Sequence, residues 1–359
     1  MSSPAAVTAA ISSFVEPLIG TDLASAEVPI EVDASGKHAK LRFGFHLGNY
    51  RATLLAAIQL HLSSVLPGVS VELHIESLVS AQAVQKNLQP LAGVKNILAV
   101  ASGKGGVGKS TTAVNLALAL QVDGARVGIL DADVYGPSQP LMLGSVERPT
   151  SPDGKRMRPI MAHGLQAMSI GFLMESDAQP AIWRGPMATQ ALWQLLTETM
   201  WDDLDYLVVD LPPGTGDIQL SLSQKIPVAG SVIVTTPQDI ALLDARKGLE
   251  MFRKVGIPVL GVIENMSMHI CSNCGHEEAV FGSGGGDKLS REAGTELLGS
   301  LPLDIRIRQQ ADSGTPTVAA EPDGALARRY REIARLTAAR LAYGSAAKLS
   351  FPSIATVDD

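Results

Sequence analysis

The stretch from Asn96 to Leu120 constrains the fold most, because it reads as a buried strand, a glycine-rich turn and a helix in direct succession. The apolar run from Ile97 to Val100 is typical of a strand covered on both faces, as in parallel sheets. After the turn, apolar residues recur at helical spacing, namely Ala113, Leu116, Ala117 and Leu120. This order of elements predicts an α/β fold with a ligand at the carboxyl end of the strand.

The turn itself fits the pattern G-x-x-x-x-G-K-[ST] through Gly103, Gly108, Lys109 and Ser110. In such a loop, backbone N–H groups surround the phosphates, the lysine reaches the outer phosphates and the hydroxyl binds Mg²⁺. The dipole of the following helix favours the same anion. A chance glycine turn is the alternative, but chance matches seldom fall between a strand and a helix. The predicted nucleotide-binding residues of the loop are Gly103, Lys104, Gly105, Gly106, Val107, Gly108, Lys109, Ser110 and Thr111.

A second lysine, Lys104, gives the loop the sequence GKGGVGKST, which resembles the deviant Walker A motif. The group with this motif includes the nitrogenase iron protein, the chromosome-partition and division-site ATPases and the Mrp/ApbC iron–sulfur carriers. In that group the first lysine reaches across a dimer to the partner's nucleotide. The resemblance therefore implies a homodimer in which Lys104 and Lys109 both act in catalysis. A merely solvated Lys104 is the alternative.

Length and composition limit the classes of protein to consider. A chain of 359 residues with 46% apolar and 18% charged residues indicates a globular protein of about two domains. It has no apolar run of about 20 residues, as a membrane span needs, and its N-terminus lacks the positive start of a signal peptide. Its net charge of -7 argues against sequence-independent binding to nucleic acid. We expect a cytoplasmic protein that binds neither membrane nor nucleic acid.

Ahead of the loop, residues Glu27 to Ile75 alternate strands with a helix from about Tyr50 to Val65, which predicts a small α+β unit. This unit resembles the accessory domain that precedes the ATPase in many bacterial Mrp-type proteins. The family often has a cysteine just before the helix, but this chain reads FHLGNYRATLL there. The predicted organisation is an accessory domain over 1–76, a linker over 77–93, an ATPase domain over 94–344 and a tail over 345–359.

Acidic residues end the predicted strands that follow the loop. The strand ARVGILDAD finishes on Asp131 and Asp133, and DYLVVD finishes on Asp210. Asp210 fits a Walker B acid, which would share Mg²⁺ with Ser110. The family resemblance implies that Asp133 positions the attacking water, whereas Asp131 suits a structural capping acid. Strands alternating with helices at this spacing predict a doubly wound, mostly parallel sheet.

Further segments narrow the resemblance to the Mrp/ApbC family of P-loop iron–sulfur carriers, from about Val94 to Leu341. They occur in the family's order and are AIWRGPM, DYLVVDLPPGTGD, TTPQDIALLDARKG, GVIENMS, FGSGGGDKL and LPLD. The resemblance implies an ATP-hydrolysing carrier that takes a labile cluster from an assembly scaffold and passes it to apo iron–sulfur proteins. It also implies that Asn265 reads the adenine edge of ATP, although an Asn at a strand end is often only a turn residue.

The chain has two cysteines, Cys271 and Cys274, in a C-x-x-C loop. A bridge between them would close a very small loop, so metal or redox chemistry is favoured over a structural disulfide. Two thiolates are half of what a cluster or a tetrahedral zinc ion needs, and a twofold dimer would supply the other two. We expect a 4Fe-4S cluster that bridges two chains. The alternatives are zinc with His269 or His276, and a dithiol redox pair.

A positioning ATPase of the partition or division-site kind is the competing function. Its basis is a predicted helix over Ala325 to Tyr343, whose arginines could face anionic lipid. These arginines are Arg328, Arg329, Arg331, Arg335 and Arg340. The alternative is a surface helix packed on the sheet by Leu326, Tyr330 and Ile333.

Overall fold

The computed structural model describes residues 3–85, 88–174, 185–271 and 273–344, and these residues form two compact units. The first unit contains residues 3–45, 49–79 and 338–344. The second contains 46–48 and the described part of 80–337. The boundaries predicted at residues 76 and 94 stay predictions, and the predicted tail over 345–359 lies outside the described residues.

The first unit is built on a three-stranded sheet. Its elements are α1 (Pro4–Ser12), β1 (Val15–Glu16), β2 (Thr21–Asp22), β3 (Ile30–Val32), β4 (His38–Phe43), α2 (Tyr50–Val65) and β5 (Glu72–Ser77). The central strand β4 pairs antiparallel with β3 and parallel with β5. Helix α2 buries one residue per turn, at Leu54, Ile58 and Leu62, so a single apolar stripe is sufficient to hold it in the unit.

The second unit contains the remaining elements. They are β6 (Val94–Ala101), α3 (Lys109–Val122), β7 (Val127–Asp131), α4 (Gln139–Met142), β8 (Ile160–Ala162), β9 (Leu165–Ser169), a 3₁₀ turn (Ile170–Leu173), α5 (Gly185–Glu198), β10 (Leu204–Asp210), α6 (Asp217–Lys225), β11 (Gly230–Thr235), α7 (Asp239–Lys254), β12 (Val259–Glu264), β13 (His269–Ile270), β14 (Glu277–Glu278), α8 (Gly285–Ala293), β15 (Leu297–Ser300), α9 (Ile305–Asp312), α10 (Thr317–Ala320) and α11 (Ala325–Tyr343), whose last residues belong to the first unit.

Eight of these strands form one sheet in the order β15-β12-β11-β6-β10-β7-β9-β8. All neighbours are parallel except β8, which runs antiparallel to β9 at the edge. The strands β7, β10 and β11 are buried at every residue, because helices cover both faces of a parallel sheet. The predicted doubly wound, mostly parallel sheet is therefore confirmed.

The register of the central strands brings the predicted site residues to one edge of the sheet. Asp210 at the end of β10 lies opposite Val100 of β6 on one side and Asp131 of β7 on the other. The glycine-rich loop leaves β6 at the same edge. The fold thus gathers two acids and the loop where ligands bind in open α/β sheets.

The arginines of α11 do not form an outward-facing basic stripe. Arg331 and Arg335 are buried, and their Nη2 atoms donate to Asp123 Oδ1 over 2.8 and 2.9 Å. Arg340 donates to the carbonyl of Leu18 over 3.0 Å. These three arginines are committed to internal contacts, so the lipid-facing interpretation is wrong for them. Of the three residues predicted to pack this helix on the sheet, Tyr330 and Ile333 are buried and Leu326 is partly exposed.

Replacing Asp123 with Ala should lower the free energy of unfolding by about 3–5 kcal/mol, because two buried guanidinium groups lose the buried carboxylate they share, and Arg331 keeps only the exposed Asp323. Urea unfolding of both proteins measures the difference. The matched control is Asp312→Ala, which breaks an exposed pair with Arg308 and should change stability by less than about 1 kcal/mol. Equal losses in the two variants would contradict the special role of Asp123.

Candidate functional site

The glycine-rich loop needs its glycines for two different physical reasons. Gly106 and Gly108 adopt left-handed backbone conformations, with φ of 81° at each. Gly103 instead lies against the backbone of α7, where an added Cβ would come within 2.1 Å of the Asp244 carbonyl carbon. At Gly105 and Gly106 an added Cβ would meet no atom within 4 Å. The loop is therefore packed on one side and open on the other, as a phosphate cradle must be.

Asn265 supports the loop from the end of β12. Its Nδ2 donates to the Val107 carbonyl over 2.9 Å, and its backbone N–H donates to the Thr235 carbonyl over 2.7 Å. The same Nδ2 would be 2.3 Å from a Cβ at Gly108, so the amide and the loop are in close contact. The sequence did not indicate this bracing contact. The adenine-reading role of Asn265 stays a prediction.

The loop lysine is paired with the Walker B candidate. Lys109 and Asp210 are both buried and form an ion pair through Nζ and Oδ1. Lys109 Nζ also lies 3.2 Å from the Ser110 hydroxyl. The side chains of the two predicted Mg²⁺ ligands, Ser110 and Asp210, thus both contact the ammonium of Lys109.

These oxygen donors fit Mg²⁺ bound together with a nucleotide. Among the described residues no group of three or more His, Cys, Asp or Glu side chains could hold a metal ion. Mg²⁺ is commonly bound by one or two carboxylates together with substrate phosphates and water, rather than by an all-protein cage. Ser110 and Asp210 therefore suit an ion that arrives with phosphates.

Asp131 and Asp133 lie in different environments. Asp131 is buried, and its Oδ2 accepts hydrogen bonds from the backbone of Ser138 and Gln139 and from the Ser169 hydroxyl, over 3.0–3.1 Å. Burial, with a further contribution from the charge of Asp210, raises the pKa of Asp131 to about 7. These contacts are those of a capping acid. They hold the segment after β7 in place.

Asp133 is less buried than Asp131 and has different contacts. Its Oδ1 accepts a hydrogen bond from the Gly136 N–H over 3.3 Å. Burial raises the pKa of Asp133, and the nearby Lys109 ammonium opposes that shift. Asp133 is therefore close enough to Lys109 to feel its charge, and its predicted role in positioning water stays a prediction.

Gln139, the first residue of α4, is a site residue that the sequence did not reveal. Its Nε2 donates to Asp210 Oδ2 over 2.9 Å and to the Ser110 carbonyl over 3.2 Å. No motif includes this glutamine. Its place depends on the pairing of β7 with β10, which brings the chain after Asp131 beside Asp210.

Lys104 and the turn after β10 complete the described surroundings of the loop. The Lys104 carbonyl accepts a hydrogen bond from the Ser102 hydroxyl over 2.9 Å. Its ammonium forms no ion pair with any carboxylate in the described part of the chain, within 4.0 Å. Gly214, with φ of 97°, donates its N–H to the Ser102 carbonyl over 3.0 Å, so the turn after β10 lies beside the start of the loop. Four of the seven residues of the AIWRGPM motif, 181–184, lie outside the described residues.

The two cysteines lie on a hairpin formed by β13 and β14. The Cys271 N–H donates to the His276 carbonyl over 2.9 Å, and the Gly275 N–H donates to the Cys271 carbonyl over 2.8 Å. Cys271 is partly buried, Cys274 is exposed, and both are free thiols. The backbone N–H of Cys274, then that of Asn273 and the Cys274 thiol, lower the pKa of Cys271. The loop therefore favours a thiolate, which is the form that binds metals.

One chain supplies this hairpin with only part of a metal's ligands. Within the residues that the structure describes, Cys271 and Cys274 have no third Cys, His, Asp or Glu beside them in a metal-binding group. The Nδ1 atom of His269 lies 3.1 Å from the Leu303 carbonyl, to which it is hydrogen bonded. The single-chain zinc site with His269 or His276 is therefore not assembled in this geometry.

The chain matches known proteins over most of its length. The family model described as ParA: NUBPL iron-transfer P-loop NTPase matches residues 93–338. An iron–sulfur cluster carrier protein from Salmonella typhimurium is 63% identical over 257 residues, which cover 71% of this chain and 69% of that protein. One from Deinococcus radiodurans is 44% identical over 345 residues, covering 96% of this chain and 97% of that protein.

A mammalian relative and a solved structure extend the comparison. The iron–sulfur cluster transfer protein NUBPL of Mus musculus is 51% identical over 255 residues, covering 70% of this chain and 80% of that protein. A nucleotide-binding protein from Archaeoglobus fulgidus, solved with ADP, is 36% identical with a TM-score of 0.54, covering 62% of this chain and 87% of that one. Separately, no helix among the described residues is long and apolar enough to cross a membrane.

Replacing Gly103 with Ala should weaken ADP binding by about tenfold or more, because the new Cβ meets backbone that cannot yield without moving the loop. Isothermal titration calorimetry measures the affinity. The matched control is Gly248→Ala on α7, outside the loop, where an added Cβ would meet only Thr215 Cγ2 at 3.9 Å; it should stay within about twofold of the native affinity. Similar losses in both variants would contradict this account of the loop.

Proposed function

Because the chain belongs to the NUBPL iron-transfer branch of the ParA family of P-loop NTPases, we propose that it is an ATP-hydrolysing carrier of iron–sulfur clusters. Its cargo is a labile 4Fe-4S cluster, received from an assembly scaffold and passed to apo iron–sulfur proteins in the cytoplasm. The names of its relatives support the cargo, since several are iron–sulfur cluster carrier or transfer proteins.

The observation that carries the proposal is the pair of thiols on the hairpin. A 4Fe-4S cluster takes four cysteine thiolates, and the described part of one chain offers two, at Cys271 and Cys274. A twofold axis between two hairpins would complete the set. Cys271 is only partly buried and Cys274 is exposed, which suits a cargo that must be handed on, because an incoming ligand can reach both thiolates.

A homodimer follows from the same reasoning and from Lys104. Its ammonium has no carboxylate partner in the described chain, and Lys104 directly precedes Gly105 and Gly106, where the loop is open. We propose that it contacts the nucleotide of the partner subunit. Both features, the half set of thiolates and the second loop lysine, call for one more copy of this chain.

We propose that ATP is hydrolysed by the loop and the acids at the sheet edge. Lys109 leaves Asp210 and binds the outer phosphates, and the backbone N–H groups of the loop hold the rest of the phosphate chain. Ser110 and Asp210 would hold Mg²⁺, which would neutralise charge that develops on the phosphates. Asp133 aligns the attacking water. Asp131 holds the backbone that follows Asp133 in place, by accepting hydrogen bonds from the N–H groups of Ser138 and Gln139.

The positioning ATPase is less well supported by the described residues. Its membrane helix would need the arginines of α11, but Arg331 and Arg335 are buried against Asp123 and Arg340 is bonded to Leu18. Such an ATPase also has no use for two thiols on a hairpin. We propose no role on membrane or nucleic acid.

Replacing Cys271 and Cys274 together with Ser should abolish cluster binding and leave ADP affinity unchanged, because a hard Ser oxygen holds iron–sulfur centres poorly. Anaerobic reconstitution with iron and sulfide, followed by metal analysis, the absorbance spectrum and the oligomeric mass, measures this. The native protein should bind about two irons per chain, as one bridging cluster requires. A double variant that still binds stoichiometric iron, or a native monomer with a whole cluster, would defeat the proposal.

Two substitutions separate nucleotide binding from hydrolysis. Lys109→Ala should abolish productive ATP binding, since it removes the charge that meets the phosphates, whereas Asp133→Ala should bind ATP but lose turnover. Binding of a fluorescent ATP analogue and release of inorganic phosphate are the two measurements. If Asp133→Ala hydrolyses ATP at the native rate, another residue positions the water.

A further inference from the structure

Gln139 makes a set of contacts that neither the sequence motifs nor the proposed mechanism use. It is 1% exposed. Its side-chain amide joins Asp210 Oδ2 and the Ser110 carbonyl, over 2.9 and 3.2 Å. Its backbone N–H donates to Asp131 Oδ2 over 3.1 Å. One residue therefore connects the ends of β7 and β10 with the start of α3.

The orientation of the amide follows from its partners. The Asp210 carboxylate and the Ser110 carbonyl can only accept hydrogen bonds, so the group between them must be the NH₂ of Gln139. The amide oxygen then faces away from both. In the described structure Gln139 Oε1 is buried and has no hydrogen-bond donor, and the neighbouring Ser138 Oγ is also buried without a partner. A buried acceptor without a donor is costly, so a donor is expected when the site is filled.

The two oxygens of Asp210 have different partners. Oδ1 pairs with Lys109 and Oδ2 accepts from Gln139. When Lys109 turns to phosphate, Oδ1 loses its partner, and the bond from Gln139 is the contact that still orients the carboxylate. That orientation leaves Oδ1 directed to the Ser110 side, where Lys109 Nζ had been.

The geometry points to Gln139 as a positioning residue for the metal site. It holds the Asp210 carboxylate in the orientation that would bind Mg²⁺ after Lys109 has left. The inference rests on the proposed nucleotide function and deepens it. Gln139 touches no phosphate in this role, so its effect should appear in the dependence of binding on Mg²⁺.

The test compares ADP affinity with saturating Mg²⁺ and with EDTA, by calorimetry, for the native protein and Gln139→Leu. Mg²⁺ should increase the ADP affinity of the variant by a factor about tenfold smaller than that of the native protein. A loss of this size is what one hydrogen bond to a charged group contributes. Its affinity in EDTA should stay within about twofold of native. Gln139→Met, which keeps the length of the side chain, should behave in the same way and serves as the second variant if Leu prevents folding.

Gln85→Leu is the matched control. Gln85 also joins separate segments through its amide, donating to the carbonyls of Ser223 and Ile226 and accepting from the Val228 N–H, but it contacts no carboxylate. The Gln85→Leu variant should have lower thermal stability than the native protein, but Mg²⁺ should increase its ADP affinity by the native factor. A Gln139 variant that keeps the full Mg²⁺ effect, or weakens binding equally with and without Mg²⁺, would overturn the inference alone. A native protein that binds no ADP would overturn the proposed function with it.

Discussion

The buried ion pair between Lys109 and Asp210 is the interaction on which the nucleotide site depends. Both groups are removed from water, so each is stable as a charge only because the other is present. Separating them leaves two uncompensated charges unless a negative group meets Lys109 and a positive group meets Asp210 together. A nucleotide that carries a divalent cation provides both. The pair thus favours the metal-bound nucleotide over either component alone.

Much of the fold could be predicted from local patterns because its strands and helices are strongly periodic. The bounds of α2 and α11 match the predicted ranges of residues, and the loop lies between β6 and α3 as expected. The apolar strands were recognisable since a parallel sheet buries both of its faces. The edge strand β8 and its neighbour β9 were not, because a short antiparallel hairpin at an edge carries little apolar periodicity. Helix α1 was also missed, although Ser3 and Pro4 are a recognisable start signal.

Contacts between residues far apart in sequence were beyond that reasoning. Arg331 reads as a surface charge, and only its pairing with Asp123, 208 residues earlier, explains its burial. The contact of the Asn265 amide with the Val107 carbonyl was not foreseen either, and the base-reading role that the resemblance gives Asn265 stays a prediction. Gln139 gave no signal at all, since a glutamine after a serine and before a proline has no pattern of its own. In each case the partner is chosen by sheet register and helix packing, which local sequence does not encode.

The hairpin with Cys271 and Cys274 has a consequence for how such a carrier would respond to its own abundance. When two copies each contribute half of a ligand set, the amount of loaded protein rises with the square of the chain concentration at low concentrations. Dilution alone would then favour unloading, without any signal from the nucleotide. A recipient whose own thiolates are already assembled in one place has no such penalty. The cluster would move from thiolates supplied by two chains to thiolates supplied by one recipient. The direction of transfer would then be set by the entropy of association as much as by the strength of the iron–sulfur bonds.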